Sequence, residues 1–217
     1  LTVSEDYIGE MAGLSLRNVE LTIRNGKKIL YQDFGEMMFT HKGITGPLVL
    51  SASSSIGKQL KKQGTLEGYI DLKPALSSEQ LDERILREFE NAKNKQFKNV
   101  IGVLFPSSLT PVIIRLGGIP EDKVIHEISR EERLNFVSII KAFPFTIDGL
   151  GGYSEAVITK GGISVKEINP GTMESKKIPQ LYFVGEVLDL DAVTGGYNLQ
   201  IAWSTGYLAG MAVSENI

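Results

Sequence analysis

The chain lacks cysteine, has only two histidines and carries no long apolar run, and each absence excludes a class of function. Without cysteine there is no disulfide, no thiolate nucleophile and no cysteine metal site. With His41 and His126 as the whole imidazole supply, we expect no metal site. No apolar run approaches the roughly 20 residues of a membrane span, and the first residues lack a signal-peptide profile. We therefore expect a cytoplasmic protein with no membrane partner.

The charge balance is close to even, with 23 Lys and Arg against 26 Asp and Glu and a net charge of -3. Basic runs are no longer than pairs such as Lys61-Lys62, so we expect no nucleic-acid partner. The chain starts at Leu1 without Met and contains no G-x-G-x-x-G phosphate fingerprint. We therefore expect it to be a piece of a longer protein.

The first third of the sequence has the alternation of β-strands. Apolar residues alternate with polar ones from Val19 to Ile23, and Asn25-Gly26 is a strong hairpin signal. Gly46-Pro47 predicts the start of a helix, because proline suits the first helical position. A further short strand is predicted from Gly68 to Leu72.

The middle third predicts helices, and two of them begin with a capping box. Ser77 with Gln80 and Ser129 with Glu132 have the spacing in which side chains satisfy the first free amides of a helix. The predicted inward residues are Leu81, Ile85 and Phe89 in one helix and Leu134, Val137 and Ile140 in the other. The predicted solvent-facing residues are Arg130, Glu131 and Arg133. Another short helix is predicted from Pro111 to Leu116.

The last third returns to strands and ends in a helix. Strands are predicted at Phe143 to Ile147, Ala156 to Thr159, Ile163 to Ile168 and Leu181 to Val184. A glycine pair, Gly195-Gly196, then leads into a helix from Asn198 to Met211. Acids at the end of a strand followed by a glycine turn and a helix fit either a ligand crevice or an ordinary strand-turn-helix.

Three blocks carry a resemblance to a known family. They are FTHKGITGP (Phe39 to Pro47), ITKGGISVKEINPGTMESK (Ile158 to Lys176) and LYFVGEVLDLDAVTGGYNLQIAWSTGYLAG (Leu181 to Gly210). Together they resemble bacterial NAD(P)/FAD-dependent oxidoreductases of the BaiN and aminoacetone-oxidase type, over essentially the whole chain. That family spans activities as different as aminoacetone oxidation and bile-acid alkene reduction, so the resemblance does not identify the substrate.

The resemblance implies an α+β fold in which a β-strand domain with a small helical bundle is inserted into a two-part FAD-binding domain. Residues 1–150 would be the inserted substrate or cap domain, with helices at about 77–141, and residues 151–217 would be the returning strand-helix part of the FAD-binding domain. The Rossmann half that binds the ADP part of FAD is missing from these residues. We therefore expect the chain alone to fold but to bind FAD weakly and to be inactive.

The implied function is hydride transfer between NAD(P)H as a candidate reductant, FAD and a small organic or steroid-like substrate. The alternative is a non-catalytic cap module that does not bind FAD by itself. The predicted cofactor-binding residues are Gly161, Gly162, Gly185, Glu186, Asp189, Gly195, Gly196, Tyr197, Asn198 and Leu199.

Each of these assignments has a simpler rival. Glu186 can accept hydrogen bonds from ribityl hydroxyls, or it and Asp189 can be solvated loop acids. Gly161 and Gly162 can lie near the flavin or mark a bulge.

The two histidines and the single tryptophan leave further alternatives. His41, in the same block as Thr45, can act as a catalytic acid or, as we favour from the sequence, anchor loop carbonyls. We expect His126 to be structural and Trp203 to serve packing.

Overall fold

Six antiparallel strands close into a barrel in the first part of the chain. A computed structural model describes residues 1–152 and 156–215 and divides the chain into two units, Leu1–Leu150 and Gly151–Ile217. The strands, in their order around the barrel, are β1 (Thr2–Val3), β4 (Gly43–Thr45), β3 (Lys28–Thr40), β2 (Ser15–Asn25), β5 (Leu66–Asp71) and β6 (Phe143–Gly149). β6 pairs with β1 and closes the ring. The predicted α+β class is confirmed, whereas closure of the sheet was not foreseen.

Buried residues that alternate with less buried ones along a strand form the barrel interior. Phe143, Phe145 and Ile147 of β6 are buried, and Pro144 and Thr146 between them are less buried. Gly68 of β5 lies opposite Phe145, and a Cβ built on it would come within 2.3 Å of the Phe145 ring. The glycine therefore makes room for an aromatic side chain in the core.

The predicted hairpin joins β2 to β3. Asn25 pairs with Lys28, so Gly26 and Lys27 form a two-residue loop. Gly26 has a φ of 57°, which a type II′ hairpin turn requires at its first loop residue. The residues from Glu36 to Thr40 form the end of the same long strand, β3.

Two helices pack on the barrel. α1 (Tyr7–Glu10) follows β1, and α2 (Pro47–Gln63) starts with proline in its first turn, as predicted. The buried residues of α2 are Leu48, Val49, Ala52, Ile56 and Leu60. The Tyr31 hydroxyl of β3 donates a hydrogen bond to the Leu48 carbonyl (3.3 Å), which fixes the start of α2 against the sheet.

Four helices form a bundle between β5 and β6. They are α3 (Ser78–Glu90), α4 (Phe97–Ile101), α5 (Thr110–Gly117) and α6 (Arg130–Lys141). Both capping boxes are present, at Ser77 with Gln80 and at Ser129 with Glu132. The bundle core contains edge-to-face aromatic pairs, with Phe136 packed against Phe97 at 5.2 Å between ring centroids.

Two predicted orientations in α6 are wrong. Leu134 is 40% exposed, and Phe136 takes the buried position instead. Arg133 points toward α3, where its guanidinium donates to Asp82 (Nε to Oδ1, 2.5 Å), so it is mostly buried. α4, which has no strong capping signal, was not predicted at all.

The second unit contains one long helix and mostly irregular chain. α7 (Tyr197–Glu215) begins one residue before its predicted start, and 3₁₀ turns form at Val165–Glu167 and Gly185–Val187. The strands predicted at 156–159, 163–168 and 181–184 are wrong. Residues 156–159 form no strand, and the other two segments make only isolated bridges, such as Ile163 with Leu188 and Glu174 with Tyr182.

A small apolar cluster holds this unit together. Ile168, Met173, Leu188 and Ala209 are buried against one another. Asn169, Pro170 and Gly171 form a turn in which the Asn169 side chain accepts a hydrogen bond from the Gly171 amide (3.0 Å).

Candidate flavin-contact segment and barrel crevice

The start of α7 presents free backbone amides. Gly195 and Gly196 have φ values of 117° and 88°, and the first helical hydrogen bond runs from the Gln200 amide to the Gly196 carbonyl (3.0 Å). Among residues 1–152 and 156–215, the amides of Tyr197, Asn198 and Leu199 have no acceptor. They can therefore donate to an acceptor outside the described chain.

The Asn198 side chain fixes the loop that precedes these amides. Its Oδ1 accepts from the Ala192 amide (2.8 Å), and its Nδ2 donates to the Ala192 carbonyl (3.0 Å). Both hydrogen-bonding groups of the Asn198 side chain are thus used within the protein. The Asn198 side chain thus positions the loop, a role that the sequence did not reveal.

The predicted acids lie on an exposed turn beside α7. The Gly185 amide donates to Thr205 Oγ1 (3.0 Å), which ties the turn to the helix. Glu186 and Asp189 are exposed, and in the described part of the chain their carboxylates make no ion pair or hydrogen bond. Both carboxylates are therefore available as hydrogen-bond acceptors.

Gly162 lies against the same turn. The Ile163 amide donates to the Val187 carbonyl and the Asp189 amide donates to the Ile163 carbonyl, both at 2.8 Å. A Cβ built on Gly162 would lie 2.2 Å from the Val187 oxygen, whereas one on Gly161 would meet nothing within 4 Å. The close approach that requires glycine at 162 is thus made by the protein backbone.

Two contacts connect the predicted residues in the structure. Gly162 packs on the turn that carries Glu186, and Gly185 in that turn is bonded to α7. The segments 161–162, 185–189 and 195–199 therefore belong to one connected surface of the second unit, which we call the candidate flavin-contact segment.

An exposed aromatic surface continues along α7. Trp203 and Tyr207 are 64% and 69% exposed, and with Gln200, Ser204 and Leu208 they line a cavity of about 450 Å³. The prediction that Trp203 serves packing is wrong for the described residues. α7 carries no charged residue before Glu215, and a helix without a polar face usually lies inside a larger assembly.

His41 lines a separate crevice at the mouth of the barrel. The cavity measures about 370 Å³, and its polar lining includes Thr2, Glu5, Asp6, His41, Lys42 and Asp148. Asp148 accepts hydrogen bonds from the Thr2 and Ser4 hydroxyls (2.6 and 3.0 Å), and Glu5 accepts one from the Thr146 amide (2.8 Å). These acids are therefore held in place by β1 and β6.

The His41 ring is exposed and makes no hydrogen bond with any described residue. Among the described residues, the His41 ring thus does not have the loop-anchoring role that the sequence favoured, and neither of its nitrogens has a partner there. His126 behaves as predicted, because its Nδ1 lies 3.0 Å from the Lys93 carbonyl oxygen.

Tyr7 stands beside this crevice in α1. Its hydroxyl donates to the Pro144 carbonyl, and burial raises the pKa of Tyr7 to about 12, with the nearby Glu5 carboxylate adding to the shift. Tyr7 therefore stays protonated at neutral pH and fixes α1 to β6.

Membrane spans and metal clusters are both absent from residues 1–152 and 156–215. No helix in these residues is long and apolar enough to cross a membrane. Within the same residues, no group of three or more His, Asp or Glu side chains could hold a metal ion.

Comparison with known proteins gives the family. Residues 1–158 match the model described as "HI0933-like protein barrel and H2TH domain". The chain is 35% identical over 212 residues to a ribosomal RNA dihydrouridine synthase of Haemophilus influenzae, covering 98% of this chain and 49% of that protein. It is 33% identical over 198 residues to the Escherichia coli protein of the same name, covering 91% of this chain and 46% of that protein.

A third relative has a different substrate in its name. The 3-dehydro-bile acid delta(4,6)-reductase of Clostridium scindens is 31% identical over 190 residues, covering 88% of this chain and 46% of that protein. The chain thus spans about half the length of these curated relatives. The resemblance seen in the sequence is confirmed: the chain belongs to the HI0933-like family, with the barrel and helical bundle that define it.

Proposed function

We propose that this chain is the substrate-binding and flavin-contacting part of a reductase that saturates a carbon–carbon double bond conjugated with a carbonyl. The names of the relatives support this class. Dihydrouridine is uridine whose ring double bond, next to a carbonyl, has been reduced. A 3-dehydro bile acid with double bonds at positions 4 and 6 carries the same conjugated group in a steroid.

The observation that carries the proposal is the set of free amides at the start of α7. Amides of Tyr197, Asn198 and Leu199 have no acceptor among the described residues, and the Asn198 clamp on Ala192 holds the loop before them. This donor set fits the electron-rich carbonyl edge of an isoalloxazine ring. Glu186, an exposed acceptor without a partner in the described chain, fits the hydroxyls of a ribityl chain.

When bound, FAD would supply the hydride, with NAD(P)H as the candidate source of electrons. The amides at the start of α7 would stabilise negative charge on the reduced cofactor, and Glu186 would orient it. Residues 151–217 are accordingly proposed as the carboxy-terminal part of the FAD-binding domain. The rest of that domain would come from the portion of the relatives' length that this chain does not span.

The barrel would bind the substrate, and residues 1–150 are proposed as the substrate domain. Hydride addition to a conjugated double bond places negative charge on the carbonyl oxygen. His41 stands in a crevice of about 370 Å³, within the usual size range of ligand pockets, and its ring is free to donate a hydrogen bond or a proton there. We propose His41 as the general acid.

Of the two substrate classes, we propose uridine in ribosomal RNA. Two relatives from different species carry that activity in their names, and they match this chain over 98% and 91% of its length. The expectation of no nucleic-acid partner rested on the net charge and on the absence of long basic runs, and neither reveals which cations the fold brings together on the surface.

The test uses a strain that lacks the full-length protein carrying this sequence. Its ribosomal RNA is digested to nucleosides, and dihydrouridine is measured by mass spectrometry. We expect dihydrouridine to fall and to return when the wild-type gene, but not the His41→Ala gene, is supplied. Unchanged dihydrouridine together with reduction of a 3-oxo steroidal diene by the purified protein would instead favour the bile-acid class.

Visible absorption separates the enzyme from the cap-module alternative. The full-length protein should be yellow, with the bands of bound flavin. The chain alone should fold and remain nearly colourless. A full-length protein that is also colourless after reconstitution with FAD would favour the non-catalytic module.

A further inference from the structure

Basic residues gather at the end of the barrel where β2 turns into β3. Arg24 is the second-last residue of β2, Lys27 lies in the hairpin turn and Lys28 starts β3. All three are exposed. The Arg24 guanidinium lies 5.3 Å from the centroid of the Tyr69 ring, which holds it on the outer surface of the sheet.

Helix α2 ends at the same end of the barrel. Its last turn contains Lys61 and Lys62, and the chain passes through Gly64 and Thr65 directly into β5. Glu67 of β5 pairs opposite Arg24 of β2. Five residues of chain span at most about 18 Å, so the lysines of α2 lie near the hairpin. We call Arg24, Lys27, Lys28, Lys61 and Lys62 the basic end.

The lysines of the basic end are not neutralised by the described protein. Among residues 1–152 and 156–215, no carboxylate lies within ion-pair distance of Lys27, Lys28, Lys61 or Lys62. Glu67, which pairs opposite Arg24 in the sheet, accepts a hydrogen bond from the Tyr69 hydroxyl (3.2 Å). The basic end thus keeps an excess of positive charge on a protein whose net charge is -3.

Other cations of the same unit do have acidic partners. Lys123 pairs with Glu132, and Lys141 pairs with Asp71, at 2.6 and 2.5 Å. Lys93, Lys95 and Arg130 of the same unit also have no ion pair with a described residue, so what distinguishes the basic end is that its cations are grouped at one end of the barrel.

A role in helix stability accounts for only part of this arrangement. Lys61 and Lys62 lie in the last turn of α2, where positive charge interacts favourably with the helix dipole. Lys58, however, stands three and four residues before them on the exposed side, and like charges at these spacings destabilise a helix. The hairpin lysines, moreover, belong to no helix.

We propose that the basic end binds the phosphate backbone of the RNA substrate, away from the crevice that holds the reacting base. The proposal rests on the proposed ribosomal RNA substrate. Lysine ammonium groups contact phosphates as point charges and without reading sequence, so the basic end would supply affinity and orientation. Recognition of the target uridine would remain with the crevice.

The test compares two variants of the full-length protein in which the same amount of charge is removed. In the first, Lys27, Lys28, Lys61 and Lys62 are changed to Gln. In the control, Lys93, Lys95, Arg130 and Lys166 are changed to Gln; these side chains are exposed and have no ion pair with a described residue. The probe is protein-free ribosomal RNA from a strain that lacks the protein, and binding is measured over a range of salt concentrations.

For the basic-end variant we expect weaker RNA binding and a shallower slope of log affinity against log salt. The slope should change by up to about 3, because each phosphate of a single strand that is no longer neutralised accounts for roughly 0.7. The control should keep the wild-type slope. Flavin content and the rate of flavin reduction by NAD(P)H should match wild type in both variants, which shows that both are folded.

Two contrary outcomes are distinguishable. If the wild-type protein makes dihydrouridine in this RNA but the basic-end variant binds with unchanged affinity and slope, the basic end is not a phosphate site and the proposed function stands. If the wild-type protein neither binds nor modifies the RNA, the substrate assignment and the basic-end proposal are both wrong.

Discussion

Asn198 holds Ala192 by both of its backbone groups, with hydrogen bonds of 2.8 Å from the Ala192 amide and 3.0 Å to the Ala192 carbonyl. This clamp joins the first turn of α7 to the loop that leads into Gly195 and Gly196. It engages the Asn198 side chain with the loop, while the amides of Tyr197, Asn198 and Leu199 have no acceptor among the described residues. The proposed flavin contact therefore depends on a side chain that need not touch the flavin.

Replacing Asn198 with Ala in the full-length protein should loosen the loop and weaken FAD retention. Two hydrogen bonds of about 1 kcal/mol each are removed, so we expect FAD affinity to fall by up to about 30-fold. The measurement is flavin retained through gel filtration, followed by titration with FAD. Gln200→Ala removes an amide whose one bond to a described residue is to Ser204 Oγ on the same helix, and this variant should keep full flavin. Equal retention in both variants would contradict the role of the clamp.

Changing Glu186 to Ala should weaken FAD binding directly. A charged hydrogen bond to a ribityl hydroxyl would contribute about 1.5–3 kcal/mol, so we expect affinity to fall by about 10- to 100-fold. Titration of the apoprotein with FAD measures this affinity. Glu131→Ala, which removes an exposed acid from α6, is the matched control. If the Glu186 variant binds FAD with the affinity of the parent protein, Glu186 is a solvated loop acid.

The two adjacent glycines at 161 and 162 should respond differently to alanine. Both have positive φ, of 108° and 139°, so both variants carry backbone strain. Only the Cβ at 162 would collide with the Val187 oxygen. We expect Gly162→Ala to speed hydrogen exchange at the Ile163 and Asp189 amides well beyond the effect of Gly161→Ala. If these amides exchange at similar rates in the two variants, the backbone accommodates the Cβ at 162 without breaking its hydrogen bonds.

Alanine substitutions of the two histidines should have different effects, on turnover at His41 and on stability at His126. His41→Ala should lower turnover by roughly 10²–10⁴, the usual range for a general acid, with flavin content and melting temperature unchanged because the exposed ring has no described partner. His126→Ala should lower the unfolding free energy by about 1 kcal/mol, because the hydrogen bond with the Lys93 carbonyl is removed, and should keep turnover. A destabilised His41 variant with normal turnover would restore the anchoring role.

Alkaline pH should weaken the contact between α1 and β6. The pKa of Tyr7 is about 12 in the folded protein and near 10 when unfolded, so its contribution is complete below pH 10 and is lost as the pH rises toward 12. Urea unfolding at pH 9 to 11.5 should show stability falling with pH. Tyr7→Phe should make stability fall less steeply with pH, whereas exposed Tyr207→Phe should leave this pH dependence unchanged. If the Tyr7 variant keeps the wild-type pH dependence, Tyr7 is not a source of it.

Local signals in the sequence predicted local structure correctly. The capping boxes at Ser77 and Ser129 involve residues three positions apart, so the sequence contains all the information they need. The same holds for the turn before α7, where two glycines predict positive φ. Local chemistry therefore predicted the longer helices and the start of the candidate flavin-contact segment.

Long-range pairing could not be predicted in the same way. The apolar run from Leu181 to Val184 has a strand composition, but a strand needs neighbours, and Tyr182 finds only a single bridge. Arg133 was assigned to solvent because its partner, Asp82, is 51 residues away in sequence. His41 was expected to bond to nearby carbonyls, and only the folded barrel shows that its ring stands free in a crevice.

The position of the helical bundle has an evolutionary consequence. The chain leaves the barrel after Ile70 and returns at Phe143, and these two residues are directly paired neighbours on β5 and β6. The Lys141 side chain, paired with Asp71, closes the gap between departure and return. An inserted segment whose two ends lie next to each other can be lengthened, shortened or exchanged without breaking a strand. Relatives with different substrates could therefore diversify in this bundle while one barrel persisted beneath it.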